Sequence, residues 1–123
     1  MFVVLDTNVI VSALLSPNGK PAYVFKQFLD GDYTLCCDER ILREYEAVLN
    51  RPKFRFPPEL VNRLLSYIRL RCLKISPSPL DIPFIDEADK KFFEVAKHCN
   101  AMLITGNRKH FPDDPLVKSV HEI

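Results

Sequence analysis

The chain has 123 residues, 47% apolar and 27% charged, the composition of one ordinary globular domain. Seventeen Lys and Arg against sixteen Asp and Glu leave a net charge of +1, so any nucleic-acid affinity must come from local patches. No apolar run approaches the roughly 20 residues of a membrane span, and Asp6 interrupts the apolar opening, which disfavours a secretory signal.

Residues 2–5 read as a buried strand that climbs to Asp6 and stops on Thr7-Asn8. At the carboxyl end of a central strand such an acid lies where open α/β sheets place their ligands. The spacing predicts a helix over 9–15, a turn at Ser16-Pro17-Asn18-Gly19, and a second helix from Pro21 to Asp30. Tyr33 to Cys37 is a second strand. Asp38 then N-caps a helix from Glu39 to Asn50. A Pro-rich connector over 54–58 leads to a helix over 59–71, and residues 72–75 form a short third strand. Ser76-Pro77-Ser78-Pro79 opens a loop that runs to residue 85. A helix over 86–99 precedes a fourth strand, 101–105, a turn with a short helix over 106–112, and an edge strand over 116–120. Strands alternating with helices predict a three-layer α/β/α sandwich around a mostly parallel sheet of four to five strands, in a single domain spanning 1–123.

The four cysteines, Cys36, Cys37, Cys72 and Cys99, have neither C-x-x-C nor zinc-ligand spacing, and read as free thiols of a reducing cytoplasm. Neither a Ser-His-Asp nor a Cys-His arrangement is suggested, and three glycines cannot build a phosphate-cradling loop. What stands out is oxygen. Asp6 ends the first strand. Glu44 lies on the margin of the Ile41, Leu42, Tyr45, Val48, Leu49 stripe, where it looks across a crevice or is a solvated flank charge. Asp89 lies one turn ahead of Phe92 and Phe93, on the apolar face of its helix; the competing reading makes Asp86 an N-cap and Asp89 a dipole-stabilising acid. Asn107 follows the fourth strand. Convergent carboxylates with an amide oxygen suit Mg²⁺ or Mn²⁺ rather than zinc. Such an ion lets them stay ionised together, acidifies water and shields phosphate oxygens, which points to metal-assisted phosphodiester hydrolysis.

These residues resemble, in order and over residues 3 to about 111, the motifs of PIN domains: Val4-Leu5-Asp6-Thr7-Asn8, the acidic helix with Glu44, the D-x-x-D-x-x-F segment Asp86 to Phe92, and Leu103-Ile104-Thr105-Gly106-Asn107 in place of a T-G-D segment. The resemblance implies a Mg²⁺- or Mn²⁺-dependent ribonuclease of the cytoplasm, the toxin of a pair with an antitoxin. It implies Asp6, Glu44 and Asp89 as catalytic, metal-binding acids, with Asn107 as a fourth ligand and Thr7, Asn8, Asp86 and Thr105 in support. Asn107 stands where the family usually has an acid, which removes one negative charge and puts a second metal in doubt. A PIN-like module that binds RNA or protein without productive metal is the alternative. A receiver-like or aspartyl-phosphate phosphatase domain also places an Asp after the first strand, but the second Asp of a D-x-D pair is missing. If RNA is the substrate, Arg108, Lys109 and His110 are expected to rim the crevice. Arg51, Lys53 and Arg55, interleaved with Phe54 and Phe56, form a second basic-aromatic segment. It reads mainly as a solvated face, with base stacking, a homodimer contact or antitoxin docking as the functional readings.

Overall fold

The computed structural model describes all residues, Met1 to Ile123. Five strands form one sheet in the order β3-β2-β1-β4-β5: β1 Phe2–Leu5, β2 Thr34–Cys37, β3 Leu73–Lys74, β4 Met102–Thr105 and β5 Val117–Ser119. All neighbouring pairs are parallel, with Val4 opposite Leu103 and Leu5 opposite Ile104 at the centre. Val3, Val4, Leu5, Leu35, Cys36, Cys37, Leu103 and Ile104 are completely buried, as expected of strands covered on both faces.

The helices are α1 Thr7–Leu15, α2 Lys20–Leu29, α3 Glu39–Leu49, α4 Pro58–Arg71 and α5 Lys90–Cys99. Strands β1, β2 and β3 step one way across the sheet, and β4 returns to the other side of β1. Right-handed crossovers then put α1 to α4 on one face and α5 on the other. In agreement, α5 packs across β1, β2 and β4, while α1 packs on α2 and α3 packs on α4. Thirty buried apolar residues form a single core cluster through these layers. The chain reverses direction between β1 and β4, so the crevice beyond their carboxyl ends is the topological switch point where open α/β sheets bind ligands.

Several boundaries differ from the sequence-based expectation. The first helix begins at Thr7, two residues early, because the Asp6 N–H still pairs with the Ile104 carbonyl at 3.0 Å while its own carbonyl accepts from Val9 at 3.0 Å. Asp6 thus follows β1 directly, still bonded to β4, and is the N-cap of α1. The expected helix over 86–99 is split. Asp86 caps a 3₁₀ turn, Glu87–Asp89, by accepting from the Ala88 N–H at 3.0 Å, and α5 proper starts at Lys90. Residues Pro52–Phe54 form a 3₁₀ turn where a plain connector was expected, and β3 shrinks to two residues. Arg108–His110 form the short helix expected after β4, and a further 3₁₀ turn, Val120–Glu122, follows β5 with a Ser119/Glu122 capping box.

The loop after β3 is held from below. Glu94 of α5, only 5% exposed, accepts from the Leu80 N–H at 2.7 Å and pairs with Arg40 at 2.9 Å. Arg40 in turn binds the α3 cap Asp38 at 2.7 Å. A buried carboxylate must be paired and hydrogen-bonded, and this one is. No helix is long and apolar enough to cross a membrane.

Candidate active site

Asp6 is 6% exposed and makes no capping bond to α1, so its carboxylate faces the crevice. The Thr105 hydroxyl, at the end of the adjacent β4, donates to Asp6 Oδ2 at 2.7 Å and accepts from the Asn107 N–H at 2.9 Å. One turn away, Asn8 Oδ1 accepts from the Gly106 N–H at 3.2 Å. The two strand ends are therefore stapled side to side by Thr105 and Asn8, both of which were expected to support the site.

Glu44 reaches the same place because of its neighbour. Tyr45 is fully buried, and its hydroxyl donates to the Leu5 carbonyl at 2.5 Å. That bond ties the middle of α3 to the last residue before Asp6. Glu44, one position earlier, overhangs the crevice. Its Oε2 accepts from the Thr7 hydroxyl at the start of α1. Its Oε1 pairs with Lys91 of α5 at 2.7 Å. Asp89 comes from the opposite wall, on the 3₁₀ turn that leads into α5. It makes no capping bond, its side chain is mostly covered, and its Oδ2 lies 3.5 Å from His110 Nδ1.

Asp6, Thr7, Asn8, Glu44, Asp86 and Asp89 line one crevice of about 380 Å³ with Val11, Val48, Ala88, Arg51 and Phe54. The electrostatics agree with the geometry. Burial, with the charges of Asp89 and Glu44 adding to it, pushes the Asp6 carboxyl up to about 6 against the Thr105 hydrogen bond. Asp89 is likewise raised, first by burial and then by Asp86, with His110 opposing and Glu44 adding to the rise. Three acids from distant parts of the chain thus feel one another's charge. They do not, however, close into a three-ligand cluster able to hold a metal ion in this arrangement, and Glu44 is engaged by Thr7 and Lys91.

Other expected residues fall elsewhere. Asn107 is exposed and outside the crevice lining; it touches the site only through its N–H on Thr105. Arg108 points to the C-terminal segment, with Nε 3.3 Å from the Val117 carbonyl and 3.5 Å from Glu122. It does not stand free at the rim. Lys109 is exposed, and His110 reaches the site through Asp89. Conversely, the segment read mainly as a solvated face contributes Arg51 and Phe54 to the crevice wall. Phe54 stacks on Phe56 with centroids 5.5 Å apart, Lys53 lies 5.1 Å over the Phe54 ring, and Arg51, Lys53 and Arg55 make no ion pair. The turn Pro52–Phe54, closed by Arg55 at φ 55°, aims this wall at the acids. Lys91 and the Tyr45 hydroxyl had no local signal in the sequence. Helical spacing assigns Tyr45 to the apolar stripe and is silent on its hydroxyl.

The chemistry of the donor set suits a hard cation: charged oxygens that repel one another at the mouth of a parallel sheet, with no sulfur among them. A PIN-domain family model matches residues 2–109. An uncharacterised protein of Methanocaldococcus jannaschii is 32% identical over 109 residues, covering 86% of this chain and 70% of its own. A chain in the crystal structure of VapBC2 from Rickettsia felis, bound to a DNA fragment from its promoter, has the same fold, with a TM-score of 0.62 and 20% identity over 97% of this chain and 98% of that one. With its acids in motif order and the family model spanning nearly all of it, the chain belongs to the PIN-domain family.

Proposed function

We propose that the protein is a divalent-metal-dependent endoribonuclease and the toxin partner of an antitoxin. The observation that carries this reading is the buried Asp6 at the switch point, lining one crevice with Glu44, Asp86 and Asp89. Clustered carboxylates at that cost in desolvation and repulsion make sense around a cation and not as surface charge. Asp6 and Asp89 would hold Mg²⁺ or Mn²⁺, with Glu44 and Asp86 beside them. When bound, such an ion supplies charge neutralisation at a phosphate and acidifies water.

The chain's own residues do the rest. Thr105 fixes the Asp6 oxygen that it donates to, and Tyr45 fixes the height of Glu44. Arg51, Lys53 and Arg55 offer unpaired cations to the RNA backbone, and Phe54 offers an aromatic surface to an unstacked base. His110 reaches the opposite wall through Asp89. Membership in the PIN family supports the nuclease reading, and the fold shared with a chain of the VapBC2 complex supports an antitoxin partner. A homodimer is the assembly we expect. A second reading, a PIN-like binding module without productive metal, is favoured by Asn107 and by the Lys91–Glu44 pair.

Cleavage of end-labelled RNA in Mn²⁺ tests the proposal. Wild type should cut and EDTA should stop it; Asp6→Asn and Asp89→Asn should each be inactive while retaining native circular dichroism. EDTA-resistant cleavage that survives in both variants overturns it. Absence of Mn²⁺ binding at millimolar concentration supports the binding module instead.

A further inference from the structure

Lys91 is a basic side chain set directly among the acids. Its ammonium lies 2.7 Å from Glu44 Oε1, and its side chain is only 13% exposed. It also donates to the Ala88 carbonyl and sits 5.0 Å over the Phe92 ring. The four-carbon stem is thus anchored at α5 and its head is held from three sides. With Thr7 on the other oxygen, both oxygens of Glu44 are engaged by donors of the chain itself.

We infer that Lys91 is a built-in counter-cation that reserves Glu44 and limits the site to a single divalent ion, held chiefly by Asp6 and Asp89. This rests on the metal-dependent reading above. Charge balance gives the stoichiometry. Asp6, Glu44, Asp86 and Asp89 carry four negative charges when ionised, and Lys91 on Glu44 and Arg51 in the crevice wall cancel two. The two that remain match one divalent cation. A second would leave the pocket with surplus positive charge, and Asn107, exposed and uncharged, adds no further acid. Displacing Lys91 from Glu44 would strand a mostly covered carboxylate and a mostly covered ammonium, which makes the pair persistent rather than incidental.

The test is a calorimetric Mn²⁺ titration of the full chain without RNA, with electron paramagnetic resonance counting the bound ions. Wild type should take one equivalent. Lys91→Met should bind the first ion about tenfold or more tightly, or take a second, because Glu44 is released and a neighbouring positive charge is gone. Lys91→Arg, which keeps the charge, should follow wild type. Two equivalents in wild type, or a Lys91→Met protein with unchanged stoichiometry and affinity, overturns the inference and leaves metal dependence standing. If neither protein binds Mn²⁺ at millimolar concentration, metal dependence itself fails and the inference falls with it. Should Lys91→Met not fold, the ζ-nitrogen resonance of Lys91 in wild type decides. It should stay in its ion-paired position on saturation with Mg²⁺, and its release to a solvent-like position overturns the inference.

Discussion

Asp6→Asn should make the metal-free protein more stable, and only above mildly acidic pH. The Asp6 carboxyl sits at about 6 in the folded protein against an ordinary 3.8, because burial and the charges of Asp89 and Glu44 outweigh the Thr105 hydrogen bond. A raised acid favours the folded state when protonated. That contribution is complete below pH 3.8 and is lost as pH rises through about 6. At roughly 1.4 kcal/mol per pKa unit, the loss comes to about 3 kcal/mol by neutral pH. Asn cannot ionise, and its carbonyl can still accept from Thr105. The variant should therefore match wild type near pH 4 and exceed it by about 3 kcal/mol at pH 7.5, a shift of roughly 10 °C in Tm for a domain of this size. Urea denaturation in EDTA at a series of pH values reads this directly. Saturating Mn²⁺ should nearly close the gap: an ion at a hundred times its Kd stabilises wild type by about 2.7 kcal/mol and leaves the variant unaffected. A variant less stable than wild type at pH 7.5 in EDTA, or a difference that does not change with pH, refutes the picture of Asp6 as a buried acid strained by its neighbours.

Tyr45→Phe removes the bond to the Leu5 carbonyl and should cost about 1–2 kcal/mol by thermal or urea denaturation; RNA cleavage should fall more than that stability loss explains, since Glu44 is placed through Tyr45. Arg40→Ala unpairs the buried Glu94 and the capping Asp38. Because Arg40 is itself half exposed, a cost of about 1–3 kcal/mol is expected, together with faster hydrogen exchange at the Leu80 amide. Arg51→Glu combined with Phe54→Ala should weaken single-stranded RNA binding at least about tenfold and flatten its salt dependence, measured by fluorescence anisotropy with inactive Asp89→Asn as background. Unchanged affinity would move the RNA path away from this wall, toward His110 beside Asp89.

The sheet was legible because its strands are short apolar runs with both faces covered, and the run from Val3 to Leu5 cannot be placed elsewhere. The helix caps at Asp38 and Asp86 were readable because each is decided within a few residues; Thr105, 99 residues from the Asp6 it donates to, was marked only by the motif it belongs to. What the sequence could not disclose is decided across the fold. Asp89 sits on a 3₁₀ turn and not inside a helix, because Asp86 closes that turn first. Lys91 meets Glu44 from 47 residues away and across the two walls of the crevice, and no local pattern marks such a pair. Arg51 and Phe54 have the composition of a solvated face, and only the left-handed backbone at Arg55 and the turn before it aim them at the acids. Asn107, assigned to the site by motif position, lies outside its lining because its backbone is spent on Thr105.

Diffraction from crystals soaked in Mn²⁺, recorded for anomalous signal, tests the central claim most directly. One peak at the carboxylates of Asp6 and Asp89, with Lys91 still on Glu44, is the predicted result. A structure in which Mn²⁺ avoids both aspartates at saturating concentration would contradict it.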